Sequence, residues 1–153
     1  MLRSLTIGSV LLAWLVGSAS AWAQAGTPDP VEVAQRCVAQ MEQAADRTTD
    51  AVATATRSAI DRIADLDAAG APDRAIIAAG KAGSDRVARL GAFGVRGITH
   101  LERRCVGLLV RLEADRRLIE RVRDAAEGFR EDIMAAVRRG TMAIRQAVAD
   151  AIG

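Results

Sequence analysis

A single break between two long stretches of helical periodicity constrains the fold of this chain more than any other feature. The break is Gly70-Ala71-Pro72. Glycine suits the position just past the end of a helix, and proline cannot continue one. The chain has 153 residues, enough for one domain with a modest core. The sequence therefore predicts two long helical arms joined by a tight turn at residues 70–72.

The first arm has one packing face, and its start is well marked. Asp29 fits the N-cap position and Pro30 the first helical position, where its missing N–H group costs nothing. Slender residues then recur at steps of three and four, as in a coiled-coil heptad. They are Val31, Ala34, Val38, Met41, Ala45, Thr48, Val52, Ala55 and Ala59. This pattern predicts a helix over about residues 30–69.

A second heptad-like face follows the break and predicts an arm over about residues 73–127. Its members are Leu101, Cys105, Leu108, Leu112, Asp115, Ile119, Val122, Ala126, Phe129 and Ile133. We expect a C-terminal helix over about residues 129–152; Gly128 and Gly140 are candidate breaks, and the sequence leaves open whether either is a turn. Glycines at 80, 83, 91, 94 and 97 give two alternatives. Either the second arm is helical and kinked near 91–97, or a loop ends at a new helix that begins with Thr99.

Composition agrees with an all-α fold. After residue 23 the only aromatic residues are Phe93 and Phe129, whereas strands favour aromatic and β-branched side chains. We therefore predict an all-α protein, a long antiparallel helical hairpin with a C-terminal helix and coiled-coil-like packing. The hairpin and the C-terminal helix would form one domain over residues 30–153.

The two cysteines lie at equal distances from the break. Cys37 and Cys105 are each 34 residues from Ala71, so an antiparallel hairpin places them side by side, roughly 50 Å from the turn. We predict a Cys37–Cys105 disulfide that closes the open end of the hairpin. The alternatives are two buried free thiols or a bond between two chains.

The N-terminal 23 residues are typical of a bacterial secretory signal peptide. Arg3 is followed by an apolar run, and small residues lead to a cleavage motif at Ala21 and Ala23, which would make Gln24 the first mature residue. Residues 24–29 form a short linker. This leader predicts export to the periplasm or beyond, where a disulfide is stable. An uncleaved membrane anchor is the minority interpretation.

Charge narrows the classes of partner. Residues 24–69 have a net charge of −4 and residues 70–125 a net charge of +5, which favours pairing of the two arms. The part after residue 23 is nearly neutral, which argues against a nucleic-acid-binding protein. The densest basic run, residues 103–123, is interleaved with acids such as Glu113, four residues before Arg117. We interpret it as a solvated, salt-bridged face, with binding of an anionic lipid or polysaccharide as the alternative.

No residue set predicts catalysis, a cofactor or a metal. His100 with Cys37 and Cys105 offers at most three ligands, one fewer than a structural zinc site has. The glycines and Lys81 of residues 79–84 do not follow a strand, as a phosphate-binding loop requires.

The sequence thus predicts an exported, non-enzymatic helical protein that acts as a structural or protein-interaction module, with an unknown protein partner or a second copy of itself. The alternative is an amphipathic helical protein that binds a lipid or other anionic surface. Contact with a membrane surface is the less favoured interpretation, because the predicted mature chain lacks the tryptophan and tyrosine that anchor helices there.

Overall fold

The computed structural model describes residues 28–153 as three long α-helices: α1 (Pro30–Ala68), α2 (Asp73–Arg111) and α3 (Arg116–Ile152). Each helix is about 55–58 Å long, at 1.5 Å per residue. All three helices pack against one another. The chain runs up, down and up, so that α2 is antiparallel to both neighbours. The predicted all-α fold is confirmed as a three-helix bundle, while the proposed leader and the residues Ala21, Ala23 and Gln24 lie outside the described residues.

The first helix begins and ends as predicted. The Asp29 side chain accepts a hydrogen bond from the backbone N–H of Val31 at 2.9 Å, with Pro30 in the first turn. At the other end Gly70 adopts a left-handed conformation with φ of +64°. The backbone N–H groups of Gly70 and Ala71 donate to the carbonyls of Asp67 and Leu66, which is the Schellman arrangement.

The predicted end of the second arm is wrong, because α2 stops at Arg111 and not near residue 127. A second Schellman turn ends it. The backbone N–H groups of Glu113 and Ala114 donate to the carbonyls of Val110 and Leu109. Asp115 then caps α3 by accepting from the backbone N–H of Arg117 at 2.7 Å. The two turns therefore end the preceding helix in the same way, but the second has Glu113 where the first has Gly70, and only the second is followed by a side-chain cap.

Glu113 occupies this left-handed position with φ of +52°, which strains a residue that has a Cβ atom. We expect Glu113→Gly to raise the free energy of unfolding by about 1 kcal/mol, because glycine adopts this conformation without that strain. Chemical denaturation checks it. Gly70→Ala, the reverse change at the equivalent position, should lower the free energy of unfolding by a similar amount. Two changes of the same sign would contradict this account.

The third helix also starts earlier than predicted, and neither candidate glycine is a turn. Gly128 and Gly140 both lie inside α3. Gly140 is buried, and a Cβ atom built on it would overlap the hydroxyl of Thr56 in α1. The sequence left open whether this glycine breaks the helix, because its close partner is 84 residues away.

The glycine-rich segment is helical, so the loop alternative is excluded. The α-helix α2 runs without interruption through residues 80–97, and Thr99 lies inside it with its hydroxyl donating to the carbonyl of Val95. Four of these glycines are buried at contacts with the neighbouring helices. Gly83 and Gly94 face Ala59 and Thr48 of α1, and Gly80 and Gly91 face Val148 and Val137 of α3. They serve close packing between helices.

The large core residues follow an 11-residue repeat and not the predicted seven-residue repeat. The large side chains that are no more than 2% exposed form one such series in each helix. These are Met41, Val52 and Ile63 in α1, Ile76, Val87, Ile98 and Leu109 in α2, and Val122, Ile133 and Ile144 in α3. Eleven residues make three turns at 3.67 residues per turn, close to the natural 3.6. The repeat therefore predicts nearly straight helices with a slight right-handed supercoil.

Candidate functional site

The disulfide is the first feature that the bundle positions. Cys37 of α1 and Cys105 of α2 are both buried, and their Cα atoms are 6.0 Å apart with the sulfur atoms bonded. The predicted proximity of the two cysteines is confirmed, and neither thiol is free. The bond lies at the end of the α1–α2 pair that is remote from the turn at Gly70. It joins the two helices where no loop connects them.

The disulfide occupies one step of a ladder of close contacts between α1 and α2. Ala59 faces Gly83, and eleven residues further from the turn Thr48 faces Gly94. Eleven residues further again, Cys37 faces Cys105. Small residues at each step let the two backbones approach closely, and that approach also satisfies the Cα separation of a disulfide. The 11-residue repeat therefore explains why two cysteines in these positions meet.

A shallow groove of about 540 Å³ lies beside the disulfide, lined in part by basic side chains. Arg103, Arg104 and Arg111 of α2 contribute to one wall and Arg36 of α1 to the other. Arg36 forms a salt bridge with Glu32 at 3.1 Å. The three α2 arginines form none with any residue in 28–153. They belong to a larger basic surface.

We call that surface the basic face; it is the solvent-exposed side of α2. Spacings of 7 and 15 residues return to nearly the same side of an α-helix, which keeps its arginines within about a third of the circumference. They are Arg74, Arg86, Arg89, Arg96, Arg103, Arg104 and Arg111, all exposed. No salt bridge within the described residues involves any of them. The basic face extends about 55 Å along the bundle.

The other residues on the basic face are mostly small or apolar. Between the arginines lie Ala78, Ala82, Ala92 and Gly107, with Val110 near one end and His100 in the second half. Phe93 lies at the middle of the face and is 73% exposed, more than any other large apolar side chain described. The face is therefore smooth, with guanidinium groups as its main projections and one aromatic ring at its centre.

One acidic residue lies on this face, and its charge is matched. Lys81 donates a hydrogen bond to Asp85 at 2.8 Å. That hydrogen bond and the positive charge of Lys81 lower the pKa of the Asp85 carboxyl below its usual value. Because the charges of Lys81 and Asp85 cancel, the net positive charge of the face comes from the arginines. α2 as a whole has eight basic and three acidic side chains, a net charge of +5, against −3 for α1 and +2 for α3.

The basic face was not predicted, because residues 103–123 form one continuous basic run in the sequence. The turn at residues 112–115 divides that run between α2 and α3. The expected pairing of Glu113 with Arg117 does not form, since Glu113 lies in the turn, and Arg116 pairs with Glu120 at 2.7 Å instead. The signal that would have found the face is the 7- and 15-residue spacing of the arginines between 74 and 111.

Complementary charge between the first two helices does not produce contacts. In residues 28–153 the one salt bridge between helices joins Glu102 of α2 to Arg130 of α3. No described ion pair links α1 to α2. The opposite net charges of these helices thus act only at longer range, where solvent screening leaves them weak.

The remaining sequence candidates form no site within the described part of the chain. No group of three or more histidine, cysteine, aspartate or glutamate side chains in residues 28–153 is arranged to hold a metal ion. His100 is exposed, and both cysteine sulfurs are in the disulfide. Lys81 and Ser84 lie on a helix, not on a phosphate-binding loop. None of the three helices is long and apolar enough to cross a membrane.

Comparisons with protein families, with curated proteins and with solved structures find no match to this chain.

Proposed function

We propose that this chain is an exported, non-enzymatic helical protein that acts as a rigid structural or interaction module in the bacterial envelope. The observation that carries the proposal is the disulfide-closed bundle. The apolar face of each helix is buried against the other two helices. The Cys37–Cys105 bond joins α1 and α2 far from their turn. Such a rod keeps its shape while its outer faces remain open for contact.

Two features support the exported location. The predicted leader over residues 1–23 has the three-part order of a secretory signal. The disulfide fits an oxidising compartment, since reducing pools in the cytoplasm keep most thiols free. Each is independent of the other, because one rests on the N-terminal residues and the other on tertiary proximity.

The alternative function, amphipathic helices that insert into a lipid surface, is less well supported. Insertion needs an apolar helix face that is free to enter the bilayer. In this bundle the apolar face of each helix is already packed against the other two. Exposed large apolar side chains are scattered over all three helices: Val31, Ile77, Phe93, Val110, Met134, Met142 and Ile152. A surface contact made through charge remains compatible with the closed bundle.

Peptide mapping of the protein from cell fractions tests the export half of the proposal. We expect a mature N-terminus at Gln24, or at Trp22 if cleavage follows Ala21, and a peptide pair linked through Cys37 and Cys105 that separates on reduction. Both should be found in the periplasmic or extracellular fraction. A retained leader with two free thiols in the cytoplasmic fraction would refute export.

Crosslinking variants of the protein, studied in the same cell fractions, test whether it acts as an interaction module. A photo-crosslinking residue at Gln43, Phe93 or Met142 samples the exposed side of α1, α2 or α3 in turn. An interaction module should give discrete crosslinked products from one position and not from the other two. Equal, diffuse labelling from all three positions would count against a specific contact face.

A further inference from the structure

We propose that the basic face of α2 is a docking surface for an anionic phospholipid bilayer, on which the bundle lies flat without inserting a helix. This inference rests on the proposed exported location, which brings the protein to envelope membranes. Seven arginines project from one side of a helix about 55 Å long, and no described carboxylate pairs with them. A partner with many evenly spread negative charges matches this arrangement.

The shape of the face favours a membrane over a folded protein as the partner. Protein interfaces gain most of their affinity from a few buried anchors in a well-packed centre. Here the positions between the arginines are mainly alanine and glycine, so the face has few large side chains that could serve as such anchors. A smooth face does allow all the guanidinium groups to reach one flat plane of phosphates at the same time. Guanidinium is also the side chain best suited to bind phosphate through two hydrogen bonds.

Phe93 gives the face its one large apolar contact at the centre. It lies midway between Arg74 and Arg111, and its ring is 73% exposed with no partner helix over it. On a bilayer this apolar ring would enter the boundary between headgroups and acyl chains, where helices that lie on a membrane place phenylalanine. The rest of the attraction is electrostatic, so that binding should weaken as salt screens the surface charge.

A second copy of this chain is the less favoured occupant. The outer side of α1 is acidic and would complement the basic face by charge, through residues such as Asp50, Asp61 and Asp65. Exposed ion pairs of this kind contribute little each, and the acidic side of α1 has no exposed aromatic residue to meet Phe93. Self-association is therefore an outcome of the test and not the proposal.

Vesicle binding by the purified mature protein tests the proposal, with Phe93→Trp as the reporter. Trp14 and Trp22 are both in the predicted leader, so this substitution gives residues 24–153 a single tryptophan. We expect its emission to shift to the blue on vesicles that contain phosphatidylglycerol, and to stay unchanged on pure phosphatidylcholine vesicles. Gln43→Trp, at an exposed position on α1, is the matched control and should show no shift on either. Equal shifts at both positions would contradict the proposed orientation, in which the basic face of α2 lies against the bilayer.

Charge variants test whether the face, and not the net charge, is responsible. Arg89→Gln with Arg96→Gln removes two charges from the centre of the basic face and should weaken vesicle binding roughly 30-fold, at about fivefold per arginine. Arg57→Gln with Arg62→Gln removes two exposed arginines from α1 and should weaken binding less than threefold. Equal losses from the two pairs would overturn the proposal.

The remaining outcomes separate the alternatives. Absence of binding to anionic vesicles at low salt would refute a membrane partner, and so would tighter binding to soluble polyphosphate than to vesicles. Concentration-dependent dimers that the Arg89→Gln, Arg96→Gln pair abolishes, without vesicle binding, would identify a second copy as the occupant and refute the proposal. Vesicle binding is measured on purified protein and export on cell fractions, so either can fail without the other.

Discussion

Replacing both cysteines by alanine is expected to lower the free energy of unfolding by about 4 kcal/mol. The disulfide joins residues that are 68 apart in sequence. In the chain-entropy model, closing a loop of this length restricts the unfolded chain by about that amount. Denaturant titration of the Cys37→Ala, Cys105→Ala variant, followed by helical circular dichroism, measures the loss.

Reduction of the wild-type protein provides the matched comparison. A reducing agent should lower the stability of the wild type by a similar amount and leave the double alanine variant unchanged. The ladder of close contacts includes Thr48–Gly94 and Ala59–Gly83, which do not depend on the bond. The reduced bundle should therefore keep its helices at low temperature. A double variant as stable as the oxidised wild type would show that the bond does not restrict the unfolded chain as described.

Two glycines three residues apart on α2 should respond to alanine in opposite directions. Gly94→Ala is expected to lower the free energy of unfolding by about 2 kcal/mol, because the new methyl group would overlap the side chain of Thr48. One of the atoms it meets is the Thr48 Cβ, at 3.0 Å, which no rotation of the side chain can remove. Gly97→Ala should raise the free energy of unfolding by about 1 kcal/mol, because nothing lies within 4 Å and alanine is the better helix former.

Denaturant titration of the two variants gives the sign of each change in the free energy of unfolding. A substitution at Thr48 tests whether overlap with its side chain is the cause. Adding Thr48→Gly to Gly94→Ala should recover part of the lost stability, since it removes the atoms that the methyl group meets. If Gly94→Ala were as stabilising as Gly97→Ala, the helices would not approach at this position as closely as the structure indicates.

Local signals in the sequence determined the helical class and the first turn. Asp29 and Pro30 mark the start of α1, and glycine at position 70 followed by Pro72 marks its end, because these residues act through their own backbone conformation. The cysteine pair was also predictable. Once the turn was placed, equal spacing from Ala71 was enough to bring Cys37 and Cys105 together, and the bundle agrees.

The second turn was missed because its residues do not have the usual composition. Glu113 adopts the left-handed conformation that Gly70 adopts in the first turn. Asp115 was included in the heptad-like face of the second arm, although it caps α3. The predicted packing face of the first arm is confirmed over most of its length: Ala34, Met41, Ala45, Val52, Ala55 and Ala59 are buried. An ideal helix drifts about 20° per heptad from a seven-residue pattern, so the predicted face leaves the core at its N-terminal end. Val31 is accordingly 48% exposed, while Val33 is buried.

The sequence by itself therefore determined the helical class, the first helix with its turn, and the cysteine pairing, since each depends on residues that are near in sequence or on a simple count along a hairpin. Tertiary structure decided what the buried glycines do and where the arginines point. Both Gly94 and Gly97 are glycines of α2. Gly94 lies at a close helix contact because Thr48 of α1 faces it, whereas Gly97 has no such neighbour. The basic face likewise exists because packing turns the other side of α2 inward, which leaves its arginines together in solvent.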